Sequence, residues 1–192
     1  MRGTLRPLLP TDAEQVLAAF ASADDMARQG DVTTIRAARE YVDRLCSSPE
    51  HLAIAVSDGV VLVGLVVVRV DTANRSGWVS YWMHASCRGR GWTARAVATV
   101  ADQAFRQGGL QRLELAHRAN NPASGAVARA AGFVVEGVER GKFLIDGERV
   151  DSICYGRLPT DPWPTATQLP WHSSEVGATS TALKPWYVPI ND

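Results

Sequence analysis

No two cysteines in this 192-residue sequence are spaced C-x-x-C, and the three present, Cys46, Cys87 and Cys154, are an odd number. That pattern argues against a disulfide framework and against a zinc site built on paired thiolates. It fits a reducing, cytoplasmic setting. No charge of one sign dominates, because twenty Lys and Arg offset twenty Asp and Glu. A broad electrostatic surface for nucleic acid or anionic lipid is not expected, and any basic cluster must be read locally. No apolar run is long enough to cross a membrane as a helix. The longest, residues 60–68, has about half of the ~20 residues a span needs and reads as a buried strand. No N-terminal stretch joins a charged start to an apolar run and a small-residue cleavage site. Internal repeats are missing too.

What remains is ordinary globular composition, 46% apolar and 21% charged, in a chain long enough for one sizeable core. Residues 3–8 read as a first strand. Thr11-Asp12-Ala13-Glu14 offers an N-cap and an acidic first turn to a helix lined by Leu17, Ala18 and Phe20. Ile35, Ala38, Tyr41 and Leu45 then recur near helical spacing, and Ser47-Ser48-Pro49 stops that helix. Three strands follow at 51–56, 60–70 and 78–84, separated by Ser57-Asp58-Gly59 and Asn74-Arg75-Ser76-Gly77. A helix over 92–107 ends at Gly108-Gly109, a strand covers 110–117, and Pro122 opens a helix stopped by Gly132. Strands at 133–138 and 150–157 complete the order. The fold class is a mixed α/β sheet around one core.

Beyond Leu158 the composition changes: six of the ten prolines and three of the six tryptophans lie there. Prolines favour extended backbone, and Trp163, Trp171, Trp186 and Tyr187 are costly in a free tail. Residues 1–158 are therefore expected to form the domain. Residues 159–192 are expected to form an extension packing on it or on a neighbouring subunit.

The segment from Trp82 to Thr93 carries the chemistry. A strand runs into the glycine-rich Arg88-Gly89-Arg90-Gly91, which opens onto a long helix beginning near Trp92. A helix N-terminus presents unpaired N–H groups and the positive end of a dipole, and both suit a pyrophosphate. Arg88 and Arg90 add cationic donors; a tight turn with solvated arginines is the plainer alternative. This segment resembles the acetyl-CoA pyrophosphate loop of the GNAT acetyltransferases, Q/R-x-x-G-x-G/A, with Thr93 where glycine or alanine is usual. A second block, Asn121-Pro122-Ala123-Ser124 through Gly132-Phe133 to Glu136-Gly137, is similar to the N-x-x-S…GF…EG signature of the ribosomal-protein N-acetyltransferase (RimJ/RimL-like) branch. The spacing of Asp146-Gly147, Asp151 and Tyr155 is similar to that branch as well. The resemblance covers about residues 3–158.

The resemblance implies a single GNAT-like domain with a mostly antiparallel, splayed sheet, acetyl-CoA as cofactor, no metal, and transfer to an amine by direct attack. It implies cofactor contacts from Trp82, Met83, His84, Arg88, Gly89, Arg90, Gly91, Trp92, Thr93, Asn121 and Ser124, with Met83 and His84 acting through their backbones. Ser124 resembles the serine proposed as general acid, and an ordinary first-turn helix serine is its alternative. Asn121 resembles a pantetheine contact and equally suits a helix cap. Glu114, on the strand after the cofactor helix, is the first candidate base; His84 and His117 are the others. Where the branch carries an acidic residue after the EG pair, this chain has Arg140-Gly141-Lys142-Phe143. A covalent route through Cys87 is not expected. Three functions fit: acetylation of a small amine such as an amino acid, aminoacyl conjugate or amine antibiotic; acetylation of a protein N-terminus; and non-catalytic acyl-CoA binding. The first is preferred, because a Trp/Pro tail can close a pocket. Members of the branch self-associate, so a homodimer is an expectation of the resemblance.

Overall fold

The structure, a computed structural model, describes residues 3–172. Among these residues, seven strands form one sheet and four α-helices cover its two faces. They are β1 (Gly3–Pro7), α1 (Ala13–Phe20), α2 (Ile35–Ser47), β2 (His51–Asp58), β3 (Val61–Asp71), β4 (Ser76–Met83), α3 (Trp92–Arg106), β5 (Arg112–Arg118), α4 (Pro122–Ala130), β6 (Val134–Ile145) and β7 (Glu148–Arg157). Sheet order is β1-β2-β3-β4-β5-β7-β6, with every pair antiparallel except β4–β5.

Period-two alternation divides the core. On one face Val66, Val68, Val79 and Met83 pack with Ala96, Val97 and Val100 of α3 and Ala128 of α4. On the other, Leu65, Val67 and Trp82 pack with Val16 and Phe20 of α1 and Ala38 and Val42 of α2. The helix predicted at residue 11 begins at Ala13, after a short 3-10 turn over Pro10–Asp12. The Asp12 carboxylate does not cap α1. It accepts from both Arg6 guanidinium Nη atoms at 2.7 Å and from Leu9 N–H at 2.8 Å, and it is 2% exposed. Strand β6 runs past the expected end at Val138 because the Arg140-Gly141 stretch is absorbed as a bulge. The register shifts between Glu139 and Phe143, Gly141 takes φ 59°, and its N–H donates to Asp151 Oδ1 at 2.7 Å.

One departure from regularity positions the site. Strands β4 and β5 pair only from Ser76–Arg112 to Trp78–Glu114, although β4 continues to Met83. Gly77 allows this close contact: a Cβ there would lie 2.5 Å from Val68 Cγ1 and 3.0 Å from Leu113 Cδ2. Beyond Trp78, β5 pairs with β7 alone and a wedge opens between β4 and β5.

After β7 the chain crosses α3 as an extended strap. Arg95 donates from Nε to Thr167 O and from Nη2 to Gln168 O, each at 3.0 Å, and Leu169 N–H donates to Thr99 Oγ1 at 2.9 Å. Trp171 then pairs in parallel with Leu5, so the strap extends the sheet at β1. Trp186 and Tyr187 lie outside the described residues. Leu169 is 3% exposed within the core. Leu169→Ala is expected to cost about 2–4 kcal/mol in urea denaturation; a loss below ~0.5 kcal/mol would mean that the strap only rests on α3.

Candidate active site

The wedge has two walls. On the β4 side, His84 N–H donates to Val63 O at 2.8 Å. Bonded rungs alternate in an antiparallel ladder, so Leu65–Trp82 is the next bonded rung. The amides of Tyr81 and Met83 therefore point away from β3, into the gap that β5 has left. This assigns the backbone donors differently from the sequence expectation. Met83 keeps its place, Tyr81 joins it, and the His84 amide is taken by Val63. Trp82 differs as well: its amide faces β3, while its ring lies against Phe20 and donates from Nε1 to Tyr41 Oη at 3.1 Å on the opposite face. The His84 side chain accepts from Ser86 N–H at 3.2 Å and holds the short turn Ala85–Cys87.

The loop at the wide end of the wedge leaves a run of backbone amides unbonded. Gly89 and Gly91 take φ 75° and 72°, and a Cβ at either would meet nothing within 4 Å, so their requirement is conformational. Helix α3 begins at Trp92, and Arg95 N–H to Gly91 O is its first bond, at 3.2 Å. Among the described residues, the amides of 89–94 have no backbone acceptor. They form a contiguous nest at the positive end of a 15-residue helix. The arginines brace the loop from outside. Arg88 donates from Nε to Met83 O at 3.1 Å and from Nη1 to Asp25 Oδ2 at 2.9 Å. Arg90 donates to Ser86 O at 3.1 Å and lies over the Trp92 ring, 5.3 Å from its centroid. Trp92 is buried in the core, and Thr93 contributes its amide to the nest.

Helix α4 supplies the second wall. Asn121 is its N-cap, and Oδ1 accepts from Ser124 N–H at 3.3 Å. The Ser124 hydroxyl lies 2.9 Å from Tyr81 Oη, and Tyr81 Oη lies 3.1 Å from Ser124 O. This pair spans the wedge. Tyr81 escaped the sequence reading because it sits among the aromatic and apolar residues Trp78, Val79, Trp82 and Met83 of its strand. The available signal was alternation: Val79, Tyr81 and Met83 share a face, and a phenol there needs a partner for its oxygen. Burial pushes the Tyr81 phenol up to about 12, against a weaker opposing pull from its bond to Ser124. The neutral form is favoured by folding, so stability is full below about pH 10 and is lost as pH rises toward 12. The whole loss amounts to about 2–3 kcal/mol. Tyr81→Phe is expected to flatten the fall in urea midpoint between pH 9 and 11; an unchanged slope would place its cause elsewhere, Tyr41 being another phenol that burial pushes up.

Beneath α4, His117 is 7% exposed, with Nε2 3.1 Å from Tyr155 Oη and Nδ1 2.8 Å from Arg118 O. Arg129 also donates to Tyr155 Oη, at 3.3 Å. His117 is thus a core histidine satisfied at both nitrogens. Glu114 stands at the apex of the wedge, in the last β4–β5 rung, where its carboxylate accepts from Arg112 Nε at 2.7 Å. Arg112 also binds Glu136 and holds that carboxyl below the usual range. A cavity of about 440 Å³ adjoins this apex, lined by Glu50, Arg69, Asp71, Ser76, Trp78 and Glu114 among others. Among the described residues, no cluster of His, Cys, Asp or Glu could hold a metal, and no helix is long and apolar enough to cross a membrane.

A parallel strand pair that opens into a wedge, an amide nest at its wide end and a serine-bearing helix on its far wall define an acyl-CoA transferase scaffold. Residues 2–134 match the family model described as the acetyltransferase (GNAT) domain, and the chain belongs to that family. The relatives to which it is similar fall in the RimJ/RimL-like branch. It is 30% identical over 87 residues to the ribosomal-protein-serine acetyltransferase of Escherichia coli (strain K12), covering 44% of this chain and 49% of that protein. The chain spans about half the length of the curated relatives it matches. Its fold matches the ribosomal-protein-S5-alanine acetyltransferase from Vibrio fischeri with a TM-score of 0.73 at 22% identity, covering 85% of this chain and 96% of that one. It also matches the microcin C7 self-immunity acetyltransferase MccE in complex with acetyl-CoA and AMP, with a TM-score of 0.70 at 20% identity, covering 82% of this chain and 92% of that one.

Proposed function

We propose that the chain is an acetyl-CoA-dependent N-acetyltransferase acting on a primary amine, with a small molecule as its preferred acceptor. The observation that carries this reading is the series of amides without backbone partners, from 89–94 through Met83 and Tyr81, that leads toward the last β4–β5 rung at Trp78–Glu114. The residues present fit the cofactor: the nest suits a pyrophosphate, and the free strand amides suit the amides of a pantetheine arm. When bound, acetyl-CoA supplies an activated acetyl thioester. The chain's own groups then have separable tasks. Amides 89–94 and the α3 dipole neutralise phosphate charge. Asn121 fixes the start of α4. The Tyr81 or Met83 N–H stabilises oxygen charge that develops at the thioester carbonyl. Ser124 donates toward the departing sulfur.

The acceptor reaches the apex from the cavity beside Trp78. Glu50, Asp71 and Glu114 there outweigh Arg69, so the lining favours a cationic amine. Glu114 is the candidate base at that apex and is oriented by Arg112. A cavity of about 440 Å³ suits a small acceptor. The ribosomal-protein activities named for the relatives favour a second reading, acetylation of a protein N-terminus, whose terminal amine would enter the same cavity. An assay of thiol release from acetyl-CoA with amino acids, small amines and peptides tests both. Mass gain confined to small amines supports the first reading, and gain confined to peptide N-termini supports the second. Binding of acetyl-CoA with no acetylated product across the panel would count against catalysis.

A further inference from the structure

The Tyr81–Ser124 contact is the feature that the functional reading does not require and the fold does not explain. Tyr81 lies three residues past the last β4–β5 rung, where the strands have separated, and its phenol reaches across to the first turn of α4. Two hydroxyls meet there at 2.9 Å, both part-buried. Core packing alone would accept phenylalanine at this position. Tyr81 faces the α3–α4 side among Val79, Met83 and Val66, and only its oxygen is polar. A phenol is neutral throughout the physiological range and burial only raises it further, so the Tyr81 hydroxyl remains a hydrogen-bond donor there.

We propose that Tyr81 is a positioning residue for the transfer, donating its hydroxyl hydrogen to Ser124 Oγ so that the Ser124 O–H turns into the wedge toward the thioester sulfur. The proposal rests on the acetyltransferase reading above and deepens it by assigning what aims Ser124. Two hydrogen arrangements fit the distances. In one, Ser124 donates to Tyr81 and Tyr81 donates to Ser124 O, at 3.1 Å; no donor faces the wedge. In the other, Tyr81 donates to Ser124 Oγ, and the serine hydrogen is free to point at sulfur. The second arrangement is favoured when negative charge develops on the sulfur, because a hydroxyl that accepts one hydrogen bond donates a stronger one. Overall a carbon–nitrogen bond forms and the carbon–sulfur bond breaks. The bonding pair leaves with sulfur, and the proton given up by the nitrogen completes the thiol. Tyr81 itself loses no proton in the cycle.

The test compares Tyr81→Phe, Ser124→Ala and the double variant by three measurements. The first is calorimetric affinity for coenzyme A against its desulfo analogue, which reports the hydroxyl–sulfur contact without turnover. The wild type is expected to prefer coenzyme A, and Tyr81→Phe to lose that preference by about 3–10-fold, as does Ser124→Ala. The second is kcat, expected to fall about 10–50-fold in Tyr81→Phe with KM for acetyl-CoA within about twofold, and to fall little further in the double variant. The third is the urea midpoint of each unliganded variant, which identifies any loss of fold. Should Tyr81→Phe lose its fold, Tyr81→His, which retains a ring donor, is carried through the same measurements and is expected to keep part of the preference for coenzyme A. A Tyr81→Phe enzyme with wild-type kcat and wild-type preference for coenzyme A, beside an impaired Ser124→Ala, overturns the positioning role alone. So do additive losses in the double variant. Wild-type turnover in Ser124→Ala overturns the Ser124 assignment and the proposal with it.

Discussion

Gly91→Glu is expected to abolish acetyl-CoA binding, with an affinity loss of about 100-fold or more. Two effects combine. Gly91 holds φ 72° immediately before the first turn of α3, a conformation that costs a residue with a side chain about 1–2 kcal/mol. The carboxylate then sits at the rim of the amide nest proposed to receive phosphate, where it can occupy the nest itself and repel the incoming anion. Gly91→Ala separates these contributions. A Cβ there meets nothing within 4 Å, so alanine brings strain without obstruction and should weaken binding only about 5–20-fold. Calorimetric titration with acetyl-CoA, alongside a melting curve, distinguishes lost binding from lost fold. Retention of wild-type affinity by Gly91→Glu would move the pyrophosphate away from this loop.

The largest effect on stability is expected far from the wedge. Asp12→Ala should lower folding stability by about 3–5 kcal/mol, because it leaves the Arg6 guanidinium largely buried without its partner. The side chains of the pair are only 14% and 3% exposed, and the geometry is a double fork at 2.7 Å. The same carboxylate holds the Leu9 amide, so the substitution also frees a turn donor at the entry to α1. The expected urea midpoint falls by about 1–3 M. The double variant Asp12→Ala with Arg6→Met should recover part of the loss by removing the stranded charge. A fall below ~1 kcal/mol in the single variant would place this pair with exposed ion pairs instead.

Both results rest on features with different visibility in the sequence. The order of strands and helices was readable because turns carry glycine, proline or asparagine, and because apolar spacing changes from two to near 3.6 between elements. Gly91 and Asn121 were readable for a local reason: a helix start is specified by the residues that adjoin it, and the structure places Asn121 as the expected N-cap of α4 and Gly91 immediately before α3. The pairing of Tyr81 with Ser124 was not readable, since the two meet only after β4 and β5 diverge. The roles of the loop arginines were hidden in the same way. Their sequence position beside two glycines suggests phosphate contact, and the further bond from Arg88 to Asp25 crosses to a short helical turn that has little apolar periodicity. The partner of Asp12 was hidden too: the residue lies in a segment that reads as a helix start with an acidic first turn, and only the fold brings it against Arg6 of β1.

The strap has a consequence for how the chain is made. Strand β1 leaves the ribosome long before Pro170 and His172, which join its outer side. Leu5 N–H donates to Pro170 O and Leu5 O accepts from His172 N–H, so the backbone of β1 waits for these partners until synthesis has passed His172. Until then the nascent sheet carries an open edge, the usual place for mispairing with another chain. Arg6 and Pro7, which sit in that edge, are residue types that discourage such pairing. The end of the strap thus acts as a late seal on the beginning of the fold.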